Sequence, residues 1–417
     1  MTTTAASPTT ARKFRFSWTD SFLWAIRVMA IFVIVWGFVG AIALGMEGEG
    51  LTAEAWKQLI VSGIAQGSMY GLIALGYSMV YGVLGFINFA HGEVFMVGAI
   101  VGYFTADALF TVGLWESNFF IAIFLVIVAS MLSSTFAAVL IEKIAYRPLR
   151  NAPRLIPLIT SIGVSFFIQN AVLLLVGPAV RSYPSAPDWL REQRDILGFQ
   201  ISGTIVAVVV IAAVSMIGLW LFVERSVTGR AMRAVAEDKE IAALMGINVD
   251  RVIVMTFAVG GAMAGVAAIL WGLLFRGVSY ITGFLPGIKA FTAAVLGGIG
   301  NIVGAFFGGI LLGLFEGIGP NVVLRGLAWQ IPTALGITLV IAGGVVVFAG
   351  RALHRNGVVV LGAATILLGV AGILGWTVVI PGLSQLKDVV AFTALVLVLI
   401  FKPAGLFGEQ LGAEDRA

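Results

Sequence analysis

The chain contains no cysteine, which excludes a disulfide framework, a zinc–thiolate site and an iron–sulfur cluster. Charge is scarce as well. Asp, Glu, Lys and Arg make up 11% of the 417 residues, against about 25% in soluble globular proteins. A soluble globule of this length cannot cover its surface with so few charges, so an ordinary cytosolic enzyme is excluded. Hydrophobic residues reach 60%, which excludes a disordered chain. The two histidines, His91 and His354, lie far apart and no His-Glu-x-x-His pattern occurs, so nothing suggests a metal hydrolase. None of the seven lysines follows a glycine or precedes a serine or threonine. The Gly-Lys-Ser/Thr element that cradles nucleotide phosphates is therefore missing. No nucleophile motif accompanies the serines of the apolar runs, and no residue pattern implies a cofactor. The formal charge of +4 is small and dispersed, which argues against nucleic acid as a partner and suits the loops of a membrane protein.

What remains is apolar sequence in long runs. A hydrocarbon core of roughly 30 Å asks for about 20 mostly apolar residues per helix, and only helices or closed barrels satisfy every backbone group in lipid. The runs are continuous rather than alternating, which predicts an all-α polytopic transmembrane bundle. They fall at Phe22–Met46, Leu59–Ile87, Phe89–Phe110, Phe119–Ile141, Leu155–Val176, Ile201–Val223, Val252–Phe275, Ile288–Ile318, Ala328–Ala349, Val358–Ile380 and Val389–Phe401. About 11 membrane segments are expected. The Ile288–Ile318 run carries Gly297, Gly298 and Gly300 and reads either as one kinked span or as a half-helix followed by a span, a pattern associated with transport sites. Before Phe22–Met46 lies a basic tail with Arg12, Lys13 and Arg15. Its length, and the near-spanning apolar stretch after it, favour a retained first helix over a cleaved signal peptide ending at Ala41-Ile42-Ala43.

Basic residues orient the bundle. Lys143, Arg147, Arg150 and Arg154 lie in one loop, and Arg225, Arg230, Arg233, Lys239 and Arg251 in another two spans later. Both loops are expected on the cytoplasmic side. The intervening loop balances Arg181, Arg191 and Arg194 with Asp188, Glu192 and Asp195 and is expected outside. Arg351 and Arg355 fit this scheme only if Ile288–Ile318 crosses twice.

Three constellations carry information. A short segment between two apolar runs holds Asn88, His91 and Glu93. It is too brief for a solvated loop, and polar groups at membrane depth often mark a pathway or a partner contact; a tight turn with Asn88 capping and Glu93 at a helix N-terminus is the alternative. The second stretch, Thr228–Asp250, reads as one amphipathic helix from Gly229 to Met245 with Met232, Val235, Ala242 and Met245 on one side. Arg230, Arg233, Glu237 and Glu240 supply polarity elsewhere, and Gly246 and Ile247 close the helix. Such a helix either enters a groove on a partner or lies on the membrane. Third, Gly63, Gly67 and Gly71, Gly261 and Gly265, Gly304 and Gly308, and Gly309, Gly313 and Gly317 recur four apart, a spacing that lets helices pack closely.

These residues resemble the permease subunit of a bacterial ABC importer for branched-chain amino acids, of the H type. The similar stretches are G-L-I-A-L-G-Y-S-M-V-Y-G at Gly71–Gly82, I-N-F-A-H-G-E-V at Ile87–Val94, I-E-K-I-A-Y-R-P-L-R at Ile141–Arg150, G-R-A-M-R-A-V-A-E-D at Gly229–Asp238, M-G-I-N-V-D-R-V at Met245–Val252, K-A-F-T-A-A-V-L-G-G-I-G at Lys289–Gly300 and K-P-A-G-L-F-G at Lys402–Gly408. The resemblance implies a permease core at 58–319 completed by a last core helix and tail at 385–417. An N-terminal tail and extra helix at 1–57 and an inserted pair of helices at 320–384 depart from the family pattern.

The resemblance further implies a multi-pass protein of the bacterial inner membrane, surrounded by lipid. Its partners are a sister permease subunit, two cytoplasmic ATP-binding subunits and a periplasmic substrate-binding protein. It also makes Gly229–Ile247 the coupling helix that rests on an ATP-binding subunit, with Gly229, Arg230, Arg233, Ala236, Glu237, Asp238, Ala242, Gly246 and Ile247 as its residues. Gln66, Tyr70, Asn88, His91, Glu93, Gln169, Asn170 and Thr292 are the candidates for the translocation path. A urea or short-amide permease of the same superfamily is the nearest rival. A channel or secondary transporter would need a titratable relay across several spans, and Glu316 is an exception among acidic residues that otherwise lie near ends and loops.

Overall fold

The structure, a computed structural model, describes residues 35–408 apart from positions 47, 49, 151, 154, 197, 325–332, 353–355, 375–386 and 403. The basic tail, the first part of the expected Phe22–Met46 span, Arg154, His354 and Arg355 lie outside the described residues.

The chain divides into two compact units. The smaller comprises Met1–Gly50 and Asn321–Leu383, with helices α1 (Val35–Met46), α14 (Thr333–Ala352) and α15 (Asn356–Ile373). Here α14 and α15 pack as a hairpin in which Gly336 faces Gly369 and Gly343 faces Gly362.

The larger unit, Leu51–Pro320 with Ser384–Ala417, holds α2 (Ala53–Leu84), α3 (His91–Thr111), the short α4 (Leu114–Ser117), α5 (Phe119–Ile141), α6 (Leu155–Val176), the short α7 (Asp188–Arg191), α8 (Gly203–Arg225), α9 (Val227–Glu237), α10 (Lys239–Leu244), α11 (Val249–Phe275), α12 (Phe284–Gly297), α13 (Ile302–Gly319) and α16 (Lys387–Phe401). Two antiparallel two-stranded sheets join loops: β1 (Arg181–Ser182) with β4 (Gly277–Val278), and β2 (Gln193–Ile196) with β3 (Phe199–Ser202).

Polar residues at the ends of the apolar runs set where the helices begin, because the first backbone N–H groups of a helix have no intrahelical acceptor. Thr52, Asn118, Ser202, Asn248 and Asn301 each accept a backbone N–H at the start of α2, α5, α8, α11 and α13. Gly85, at φ +75°, ends α2.

Helix α2 occupies the centre, packed on α13, α11, α12 and α8. Its glycine stripe is the reason it can. A Cβ on Gly67 would lie 2.6 Å from the Gly309 carbonyl oxygen, and one on Gly63 3.0 Å from that of Gly313. On the opposite flank α11 packs on α5, where Gly261 and Gly265 face Ser134 and Met131. Side-chain hydroxyls bind this flank together: Ser130 Oγ donates to the Gly265 carbonyl at 2.8 Å and Ser134 Oγ to that of Val94 at 2.9 Å. Small residues and hydroxyls serve in this way because lipid tails provide no hydrophobic drive between helices.

Seven helices among the described residues are long and apolar enough to cross a membrane, in place of the 11 segments expected: α2, α3, α5, α6, α8, α11 and α13. Other apolar stretches form shorter helices, at Val35–Met46, Phe284–Gly297, Leu335–Arg351 and Leu361–Val370. Four expected segments make the difference: Phe22–Met46, Ala328–Ala349 and Val358–Ile380 extend beyond the described residues, and Val389–Phe401 lies in a helix of 15 residues, against about 20 for a crossing. The Ile288–Ile318 run, counted once, yields one helix long enough to cross. It divides at Gly298 (φ +105°) and Gly300 (φ +94°), backbone conformations that suit glycine. One side becomes the 14-residue α12 and the other the 18-residue α13, packed against each other.

Candidate translocation and coupling site

The two basic loops meet at one end of the bundle. After α5 the chain makes a π-helical turn at Glu142–Tyr146 and a 3₁₀ turn at Arg147–Leu149. Arg147 Nη2 then reaches Asp250 Oδ2 in the first turn of α11 at 2.9 Å, and Arg150 pairs with both Asp250 and the buried Glu142. Helices α9 and α10 lead directly into this start of α11.

The continuous helix expected from Gly229 to Met245 is instead two helices. Asp238 has an extended backbone (φ −151°, ψ 115°), and its carboxylate accepts the N–H groups of Glu240 at 2.8 Å and Ile241 at 2.9 Å, so it caps α10 and stops α9. Asp satisfies backbone donors more readily as a cap than inside a helix. Gly246, at φ +84°, ends α10 with paired bonds from Gly246 N to Ala243 O and Ile247 N to Ala242 O. The break turns one expected residue outward. Met232, Val235 and Ala242 are buried, whereas Met245 is 78% exposed. Leu244, at 86%, and Ile241 of the same helix are exposed, as is Val227 at the start of α9. Arg230, Ala236, Glu237, Asp238 and Gly246 are exposed, and Ile247 is partly buried.

Gly229 is buried where α8 turns into α9. A Cβ there would overlap the Val223 carbonyl, and Ser226 Oγ accepts its N–H at 2.8 Å. Arg233 reaches back to the Val223 carbonyl at 3.0 Å and to the Glu224 carboxylate. Beneath α9 lies a cavity of about 70 Å³ lined by Met232, Arg233 and Ala236, by Ser78 and Gly82 of α2, by Thr256 of α11, and by Gly300 and Ile302 at the α12–α13 break. Ser78 Oγ accepts the Gly300 N–H at 2.9 Å. The coupling stretch and the broken helix therefore share one vestibule. The segment after α16 joins the same end, since Leu406 N donates to Leu296 O at 2.8 Å and Phe407 N to Gly297 O at 3.0 Å.

The candidate path residues fall into separate groups. Asn88 is buried, with its Oδ1 accepting Ala90 N at 3.1 Å and the Tyr146 hydroxyl at 2.6 Å. His91 is buried edge-on to Tyr77, ring centroids 4.9 Å apart. Its Nε2 lacks a hydrogen-bond partner and faces Gly76, where a Cβ would overlap the ring. Glu93 is buried, and its Oε1 accepts from Gln169 Nε2 at 2.7 Å and Ser165 Oγ at 3.1 Å. Gly283 of the segment leading into α12 approaches its other oxygen. Gln66 donates to the Tyr70 hydroxyl at 2.7 Å. Thr292 is buried and bonds its own helix through Ile288 O. Asn170 stands apart: it is exposed and bonds only the Phe166 carbonyl one turn back.

Residues 59–349 match the family described as branched-chain amino acid transport system, permease component. The chain belongs to this family. It is 38% identical over 356 residues to the high-affinity branched-chain amino acid transport system permease protein BraD of Pseudomonas aeruginosa, covering 85% of this chain and 96% of that one. It is 43% identical over 266 residues to the corresponding LivH protein of Salmonella typhimurium, and 42% over 263 to that of Escherichia coli K12. Each of these two alignments covers 63% of this chain and 85% of the relative. No solved structure matches the chain. As a member of the branched-chain amino acid permease family, this multi-pass membrane protein is a transport subunit and not an enzyme.

Sequence reasoning on the permease missed several partners. Tyr146 and Ser165 complete the Asn88 and Glu93 groups, yet an isolated Tyr or Ser in an apolar run carries no signal of its own. Lys289, Glu316 and Asp388 form a further charge cluster, buried at Lys289 and Glu316. Here a signal was available, because Lys289 and Glu316 are charges set deep in apolar sequence, and such charges are costly unless paired.

Proposed function

We propose that this chain carries branched-chain amino acids across the bacterial inner membrane as one permease of an ATP-driven importer. Its partners are a sister permease, two cytoplasmic ATP-binding subunits and a periplasmic binding protein. Family membership and the names of the relatives support the substrate. The observation that carries the coupling is the two-sided character of α9 and α10: Met232, Val235 and Ala242 are buried in the bundle while Ile241, Leu244 and Met245 are exposed. A short helical rod with one face packed and one apolar face free suits a groove on a partner protein. Movement of α9 acts directly on Ser78, Gly82 and Gly300, which share its vestibule. Small shifts there repack glycine-rich contacts between discrete arrangements, as alternating access requires. Glycine at the α12–α13 break keeps that turn free of side chains that would obstruct such a shift.

The test uses the complete importer in proteoliposomes. Leu244→Glu with Met245→Glu should leave the permease folded, reduce recovery of the ATP-binding subunits, and lower leucine uptake by about tenfold or more. Wild-type subunit recovery together with wild-type uptake would refute the coupling. Leucine accumulation against a gradient by this chain alone would refute the importer.

A further inference from the structure

Four charges play no part in the coupling just described. Lys289 of α12, Glu316 of α13, and Lys387 and Asp388 of α16 meet at the end of the bundle opposite α9 and α10. Glu316 sits in the last turn of α13, whose first residue lines the vestibule. Asp388 sits in the first turn of α16, whose following segment bonds Leu296 and Gly297 at the vestibule end. Lys289 Nζ is 2.7 Å from Glu316 Oε1 and 2.7 Å from Asp388 Oδ1, and Lys387 Nζ is 3.5 Å from Glu316 Oε1. Side-chain exposure rises from 1% at Glu316 and 6% at Lys289 to 30% at Asp388 and 43% at Lys387. The cluster is therefore buried at its base and open at its rim. From α2, Tyr70 places its hydroxyl 3.5 Å from Lys289 Nζ and accepts a bond from Gln66.

A clamp between helices explains only part of this arrangement. A buried ion pair adds little net stability over well-packed apolar residues, and charges at membrane depth are expensive. Two hydrogen-bonding capacities are also left over. Glu316 Oε2 is buried without a hydrogen-bond partner. The Tyr70 hydroxyl accepts from two donors, which leaves its own proton without an acceptor among the described residues. At the base of the cluster, below the rim cation Lys387 of α16, the groups divide by helix. Lys289, Tyr70 and Gln66 come from α12 and α2, and the two carboxylates from α13 and α16.

We propose that this cluster is an entry subsite for the charged ends of a free amino acid, holding its carboxylate on Lys289, Tyr70 and Gln66 and its ammonium on Glu316 and Asp388. The proposal rests on the amino-acid reading above and names where that substrate first engages this chain. A zwitterion can exchange with the Lys289–Glu316 pair and leave no net charge unpaired in a poorly polarisable setting. A carboxylate alone or an amine alone strands one protein charge, which is the basis for rejecting both.

The experiment measures binding of tritiated leucine to the detergent-solubilised importer complex without its binding protein. The competitors are 4-methylpentanoate, which lacks the ammonium, and 3-methylbutylamine, which lacks the carboxylate. The wild-type complex should bind leucine and ignore both. Glu316→Gln should weaken leucine about tenfold and admit 4-methylpentanoate; Lys289→Met should weaken it similarly and admit 3-methylbutylamine. Gln66→Leu leaves the ion pairs in place, so it serves even if the charge variants fail to assemble: it should weaken leucine while both competitors stay rejected. The subsite is overturned if the wild-type complex binds no leucine, if the variants bind it normally, or if assembled charge variants lose it with discrimination unchanged. Leucine uptake by the complete wild-type importer, measured in parallel, separates the two readings. Uptake without such binding removes the subsite alone, whereas absence of leucine uptake removes the substrate assignment.

Discussion

Glu93 shows how single residues are held in this bundle. Its Oε1 is the shared acceptor for Gln169 and Ser165 of α6, a helix that packs mainly on α3 and the π-turn after α5. Removing the acceptor strands two buried donors, and each unsatisfied group costs about 1–3 kcal/mol. Glu93→Leu should therefore lower the melting temperature in detergent markedly. Glu93→Gln keeps a carbonyl oxygen for the same donors and should melt close to wild type. Equal melting of the two variants would show that α6 is held by apolar packing alone. The segment holding Asn88, His91 and Glu93 is legible in sequence, since three polar residues interrupt apolar runs. Their partners are not, because Tyr146 lies 58 positions from Asn88 and Gln169 lies 76 from Glu93.

Among elements, the contact of α2 with α13 depends on backbone approaching backbone. A Cβ on Gly309 would overlap the main chain of Gly71. Gly309→Val forces these helices apart, and overpacking of this kind costs about 1–3 kcal/mol or more. The expected result is a lower melting temperature and poor recovery of folded protein, whereas Gly218→Val, where a Cβ meets nothing within 4 Å, should behave as wild type. The glycine spacing announces close packing, but it does not say which helix is the neighbour. The same limit applies to α9 and α10. Their amphipathic pattern is readable, yet whether Asp238 continues a helix or caps a new one depends on how the chain leaves Val223 and returns to Asn248.

At the scale of the whole molecule, Lys387 and Asp388 follow the segment 321–383 of the smaller unit yet meet Glu316 and Lys289, which lie on helices before that segment. The ends of α13 and α16 are therefore close in space, and the intervening segment need not be present to bring them together. Excision of 321–383 with a short Gly/Ser linker should leave the larger unit folded and leucine uptake by the reconstituted importer within about threefold of wild type, a difference under 1 kcal/mol. Loss of folding would assign the smaller unit an essential part in building the bundle. Residue order alone does not predict the proximity, because the charges that create it sit on three separate helices.

The membrane class, the helical architecture, the family and the absence of a nucleotide-binding loop are all set by local composition and motif, since burial in lipid acts on each segment separately. Tertiary structure alone decided that glycines at Gly298 and Gly300 break one run, that α9 and α10 are distinct, and that Lys289 finds Glu316 and Asp388. Those outcomes depend on which distant groups satisfy a backbone break or a buried charge, and pairing across the chain is settled only when the helices pack.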